Sequence, residues 1–274
     1  MEPFRLVVYL DGSSASRRAI PYLRPLIRSE HVATILLSDE SHADEATALF
    51  DQADAALQRD PAPERSIRGA TPERAIVLES RACKPDLIVF GPLRRQGWRG
   101  WLGQSAVRSL ARRLTNSILL MQGRPNALHR ALLCAAGGTE VLHDAEVTAE
   151  LLAPIQGQAT ILHIVSQMPL TFDREERDPQ HLTELVMQQE TQITQNLDAA
   201  KTILHDRNVT TKIRIRAGMV LEQIQEELRT GGYDLLVIGA HHDRSPLDRV
   251  LLEDLSSELL LNSPIPVLLV QSAE

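Results

Sequence analysis

The chain has 274 residues, enough for one large domain or for two of about 130, well above the size at which a core becomes marginal. A formal net charge of −7 argues against nucleic acid or an acidic membrane as a partner, because phosphate neutralisation needs a basic surface. Aromatic residues at 3% also remove the stacking platforms of single-strand binders.

The first repeat carries short apolar runs at Phe4–Leu10, Val32–Leu37, Ser66–Arg68, Asp86–Phe90 and Ser117–Gln122. The second carries them at Ala131–Ala136, Ala159–Val165, Thr211–Arg216, Asp234–Ile238 and Ile265–Gln271. Near-continuous Val, Ile and Leu predicts strands buried on both faces, as in parallel sheets covered by helices. Amphipathic stretches lie between the runs. Pro21 and Pro25 fall in the first of these, where each removes a backbone donor and should kink or shorten the helix. Thr71-Pro72-Glu73 reads as an N-cap, a first-turn proline and an acid near the positive helix end. Leu182, Val186, Ile193, Leu197, Ala200 and Leu204 mark a longer helix, and Leu221, Ile224 and Leu228 form a stripe ended by Gly231-Gly232. Cys83 and Cys134 lack Cys-x-x-Cys spacing and read as reduced, partly buried side chains. No charged-then-apolar leader opens the chain, and no apolar run approaches the roughly 20 residues that span a bilayer, so a cytoplasmic protein is expected.

The runs repeat in order. Asp86-Leu87-Ile88-Val89-Phe90-Gly91 returns as Asp234-Leu235-Leu236-Val237-Ile238-Gly239, and Leu6–Ser13 (LVVYLDGS) matches Leu132–Thr139 (LLCAAGGT). The extra length of the second copy falls mainly between its second and third strands, where insertions are tolerated. The expected architecture is α/β: two tandem doubly wound domains of five parallel strands, 1–124 and 129–274, joined by the turn-rich Gly123-Arg124-Pro125-Asn126.

Open α/β sheets bind ligands beyond the carboxyl ends of strands, where strand order reverses. In the first copy this directs attention to Asp11, Gly12 and Ser13 after strand one and to GPLRRQGWRGWLGQS, residues 91–105, after strand four. Glycines at 91, 97, 100 and 103 permit close backbone approach, Arg94, Arg95 and Arg99 bring charge, and Ser105 is expected to open a helix whose free amides favour an anion.

Strand-Asp-Gly-Ser at the start, Asp-Leu-Ile-Val-x-Gly before a glycine-rich loop, and a last strand after a short helix resemble the universal stress protein (UspA-like) pattern, twice over. The resemblance implies Rossmann-like domains of the adenine-nucleotide alpha hydrolase type, paired as an internal pseudo-dimer through Ser117–Gln122 and Ile265–Gln271. ATP-binding members carry Gly-x2-Gly-x9-Gly-Ser/Thr after strand four and an Asp after strand one. Asp11, Gly91 and Ser105 match that pattern, while Arg94 and Gln104 replace the other two glycines. In the second copy Gly137 replaces the Asp, His242 the second glycine, and Glu253-Asp254 the final pair. Two carboxylates at a phosphate seat repel the ligand. The resemblance thus implies a non-enzymatic stress-response or regulatory protein holding ATP or another adenine nucleotide in its first domain, with a degenerate second site.

Each residue has a plainer reading too. Ser105 and Asp254 make good N-caps, Asp11-Gly12 suits a strand-to-helix turn, and the arginines suit a solvated loop. Trp98 and Trp101 suit loop anchoring as well as contact with a partner, including a second copy in a homodimer. His241-His242-Asp243 offers no helical i,i+4 pair, so no metal is expected. No catalytic elbow or Walker A motif is present, which leaves two alternatives open: a nucleotide-hydrolysing or nucleotide-transferring enzyme of a related fold, and an interaction module without ligand, binding an unknown protein.

Overall fold

The structure, a computed structural model, describes residues 2–58, 60–93, 102–123, 127–165, 179–240 and 258–271, with the side chains of 102–104 and 179–190 outside that description. Every apolar run lies in a strand. The first repeat gives β1 (Phe4–Tyr9), β2 (Val32–Ser38), β3 (Glu64–Ile67), β4 (Leu87–Phe90) and β5 (Ser117–Leu120). The second gives β6 (Arg130–Ala135), β7 (Gln158–Val165), β8 (Thr210–Ala217), β9 (Leu235–Ala240) and β10 (Val267–Gln271). Between them run α1 (Ser14–Ile27), α2 (Ala43–Leu57), α3 (Pro72–Cys83), α4 (Leu102–Arg113), α5 (Glu140–Leu152), α6 (Pro179–Asp206) and α7 (Val220–Gly231). No helix of the described residues is long and apolar enough to cross a membrane.

Contacts divide the chain into two compact units, Met1–His129 with Asp234–Glu274, and Arg130–Tyr233. In the first unit the strands lie in the order β3-β2-β1-β4-β5-β10-β9. All neighbours are parallel except β5 and β10, which pair antiparallel with Leu119 opposite Leu268. The residues of β4 and β5 are all buried, which explains their unbroken apolar character. In the second unit β6, β7 and β8 are parallel in that order.

The helix punctuation follows the sequence. Thr71 caps α3, its Oγ1 accepting from Arg74 N at 3.3 Å, and Pro72 occupies the first turn. Gly232 ends α7 in the left-handed region at φ 64°. Leu197, Ala200 and Leu204 bury one face of α6, whereas Leu182 and Val186 lie among the undescribed side chains.

The two prolines correct an expectation, since α1 runs its full 14 residues through both. They are four residues apart and both exposed, so the missing donors fall on one solvent-facing row of the helix. The carbonyls of Arg17 and Pro21 there can bond to water, and Leu23, Leu26 and Ile27 stay buried on the opposite side.

One feature of the second unit escapes the apolar stripe of α7. Beside the buried Ile224, Glu227 is fully buried. Its carboxylate accepts from Arg214 at 2.6 Å and the Tyr233 hydroxyl at 2.6 Å and forms an ion pair with Arg216 at 2.7 Å, tying α7 to β8. Burial alone would raise its pKa, but the bonds from Arg214 and Tyr233 hold it below the ordinary carboxylate value of 4.5. A depressed folded-state pKa contributes stability above the unfolded value and loses it as pH falls through the folded one. Glu227→Gln should therefore lower the unfolding free energy by about 1–3 kcal/mol near pH 7 and flatten the acid limb of stability below about pH 4.5, checked by urea denaturation across pH.

Candidate functional site

Strand order in the first unit reverses between β1 and β4, because the connection from β1 leads to β2 on one side and that from β4 to β5 on the other. A crevice at this switch point is where ligands enter such sheets. Asp11, Gly12 and Ser13 follow β1 directly. Asp11 Oδ1 accepts from Ser13 N at 2.9 Å, and Gly12 takes a φ of 70°, open to glycine at little cost. Ser13 then caps α1, its Oγ accepting from Ser16 N at 3.2 Å, while Arg17 Nε donates to the Gly12 carbonyl at 2.9 Å.

Gly91 at the end of β4 meets the same turn. A Cβ added there would lie 2.7 Å from Ala15 Cβ and 3.7 Å from Ser13 Oγ. Glycine is required because the strand end and the first turn of α1 touch backbone to side chain. Asp11, Gly12, Ser13 and Gly91 are thus brought together. Arg94 lies outside the described residues, as do Arg95, Arg99, Trp98, Trp101, His241, His242, Asp243, Glu253 and Asp254. Gln104 belongs to α4, but its side chain is outside the description. Ser105 corrects its expected role: it is the fourth residue of α4, exposed, and does not open the helix. Within the described residues α4 already includes Leu102, Gly103 and Gln104 ahead of it.

Sequence reading missed a polar cluster beside this crevice, at the end of β2. Asp39 is fully buried and accepts from the Tyr9 hydroxyl, from Ser41 through its hydroxyl and its amide (2.9 Å), and from His42 Nδ1 at 2.8 Å. Burial opposes ionisation of Asp39, yet the bonds from Ser41, Tyr9 and His42 keep its pKa below the usual value. Tyr9 is pushed in the opposite direction, upward, by burial and by the Asp39 carboxylate, with Asp11 and Glu73 adding to it. Because an ionised carboxylate only accepts, His42 must carry its proton on Nδ1. The available signal was the polar Ser38-Asp39-Glu40-Ser41-His42 directly after an apolar strand. Glu45 in the first turn of α2 also reaches this end, its Oε2 3.4 Å from the Cβ position of Gly12.

The second unit treats the matching strand end differently. After β6, Gly137 takes a φ of 96°, and a Cβ there would meet Ile193 Cγ1 at 3.0 Å and His163 Cε1 at 3.2 Å. Asn196 Nδ2 donates to the Gly137 carbonyl at 2.9 Å, and His163 Nδ1 donates to the Ala135 carbonyl at 2.9 Å. Side chains of α6 and β7 therefore pack directly on the turn. Below it, burial pushes the Cys134 thiol up to about 12, with Asp144 and Glu227 adding to it. Among the described residues no group of three His, Cys, Asp or Glu is placed to hold a metal ion.

These features define an α/β protein with a mostly parallel sheet whose strand order reverses between β1 and β4. The crystal structure of a universal stress protein from Archaeoglobus fulgidus DSM 4304 is similar over 98% of this chain and 97% of that one, with a TM-score of 0.63 and 12% identity. A functionally unknown protein from Pseudomonas aeruginosa PAO1 is similar over 98% and 92%, with a TM-score of 0.65 and 16% identity. At these identities the likeness is one of fold. No curated protein sequence matches the chain. The model of the universal stress protein family matches residues 129–271, more than half of the sequence, and the chain belongs to that family.

The Asp39 cluster has a direct consequence for stability. Asp39→Ala leaves the buried Tyr9 hydroxyl without its acceptor and should cost about 2–3 kcal/mol, read as a lower urea midpoint at unchanged m value.

Proposed function

We propose that this is a non-enzymatic stress-response or regulatory protein that holds one adenine nucleotide at the β1–β4 crevice, in the first of two tandem universal stress protein domains, 1–124 and 129–274. The observation that carries the reading is the convergence of Asp11, Gly12 and Ser13 with Gly91 at one strand end, Asp11 and Gly91 being two of the three residues that match the family's ATP-binding pattern. The charges there suit one orientation. Asp11 and Glu45 can accept from ribose hydroxyls or an adenine amine but would repel phosphates. The phosphates would then extend toward the loop after Gly91, with Arg94, Gln104 and Ser105. The packing of Ile193, His163 and Asn196 on Gly137 supports a second site that holds no nucleotide. The antiparallel β5–β10 ladder supports the pairing of the two repeats through their last strands as an internal pseudo-dimer. A reading as an enzyme would need a base or metal ligand at the phosphate end, and no described side chain takes that role.

Calorimetric titration of the full chain with ATP should give one site per chain, and Asp11→Ala should weaken it about tenfold or more through loss of a charge-assisted bond. An ATP affinity indifferent to Asp11 would overturn this assignment.

A further inference from the structure

Helix α3 carries the chain from β3 across β2 and β1 to β4, and α4 carries it on from β4 to β5; both crossovers step the same way across parallel strands, so the two helices share one face of the sheet, point the same way and pack side by side. Between them runs a groove of about 620 Å³. Its α3 wall includes Arg74, Leu78 and Arg81, and its α4 wall Ser105, Ser109 and Arg113, each set at the i, i+4 and next-turn spacing that shares one helix face. Arg81 and Arg113 stand in the last turns of their helices, at the same end of the groove. Arg74 stands toward the other end, seven residues or about 10 Å away along α3.

Among the described residues no carboxylate forms an ion pair with Arg74, Arg81 or Arg113. Glu73 is the one acid among the residues lining the groove, against these three arginines. In a chain of net charge −7 such a local excess of unpaired guanidinium groups is unusual. Arginine is also the side chain that binds phosphate or carboxylate in a fixed two-pronged geometry. Leu78 is 38% exposed between the two arginines of α3, giving the groove an apolar stretch between charged ends. The volume lies in the range of small-molecule sites.

We propose that the α3–α4 groove is a second ligand site, distinct from the β1–β4 crevice, for a small elongated polyanion. Its ligand carries phosphate or carboxylate groups toward both ends: one end is gripped by Arg81 and Arg113, the other by Arg74, and these long side chains can reach inward along the groove. This does not depend on nucleotide binding at the crevice.

Inorganic tripolyphosphate, titrated calorimetrically into the full-length protein with orthophosphate as comparison, tests the site. Tripolyphosphate should bind more tightly than orthophosphate and lose affinity as salt rises. Arg81→Gln and Arg113→Gln should each weaken it about tenfold or more, with Arg81→Lys and Arg113→Lys losing less. Both arginines are exposed, so the variants should fold, which their circular dichroism confirms. No binding by the wild-type protein, or wild-type affinity in both glutamine variants, overturns the proposal. Failure of the nucleotide reading shows separately, in the ATP titration.

Discussion

The antiparallel ladder between β5 and β10 is the joint on which the first unit depends. Every residue of β5 is buried, so without a neighbour this strand would present an apolar, unpaired edge to water. β10 supplies that neighbour from the far end of the chain, and β9 follows it. Side chains lock the register: Gln271 Nε2 donates to the Ala111 carbonyl at 3.0 Å, and its amide donates to Ser117 Oγ at 3.4 Å. Gly123, at φ 64°, completes the joint. A Cβ there would lie 1.8 Å from the Pro264 carbonyl oxygen, so the chain leaving β5 runs hard against the chain entering β10. The pairing is long-range in sequence and entropically costly to form, yet the sheet is incomplete until it does.

The crevice of the first unit inherits its rigidity from neighbouring strands. Ser38 Oγ donates to the Leu10 carbonyl at 2.8 Å, fixing the end of β2 to the end of β1. Asp39 then gathers Tyr9 and His42 around itself, and the short turn after it leads into α2, whose Glu45 reaches Gly12. A buried carboxylate is tolerable because its oxygens are saturated with donors, and a partly satisfied one would destabilise the same turn. The strand ends are therefore held by polar bonds on one side of Gly12 and by the close Gly91–Ala15 contact on the other.

Much of this was legible in the sequence because the signals are local. Thr71-Pro72 and Gly232 punctuate their helices as read, and each apolar run forms a strand within a few residues of its expected limits. Local rules failed where tertiary context decides. The helix-breaking prolines of α1 share a solvent-facing row, so the packed face outweighed two missing bonds. The partners of Glu227 come from β8 and from Tyr233, and Tyr9 lies 30 residues from Asp39, so no window in the sequence contains either cluster. The division into compact units was equally invisible, for the repeats follow sequence order whereas β9 and β10 make their contacts with the N-terminal residues.

The asymmetry between the repeats has a physical origin that sequence comparison alone hides. Both place a glycine in the left-handed region after their first strand, Gly12 and Gly137, so the backbone turn is retained. What differs is the helix between the second and third strands, 15 residues in α2 and 28 in α6. In the shorter helix an acid approaches the glycine turn, and the turn keeps Asp11 beside it. In the longer one Ile193 and Asn196 descend onto the turn, filling apolar space and capturing the Gly137 carbonyl. An aspartate side chain before such a glycine would have to compete with this packing for the same volume. The absence of a carboxylate at Gly137 and the packing of Ile193 and Asn196 on that turn are therefore physically consistent with each other.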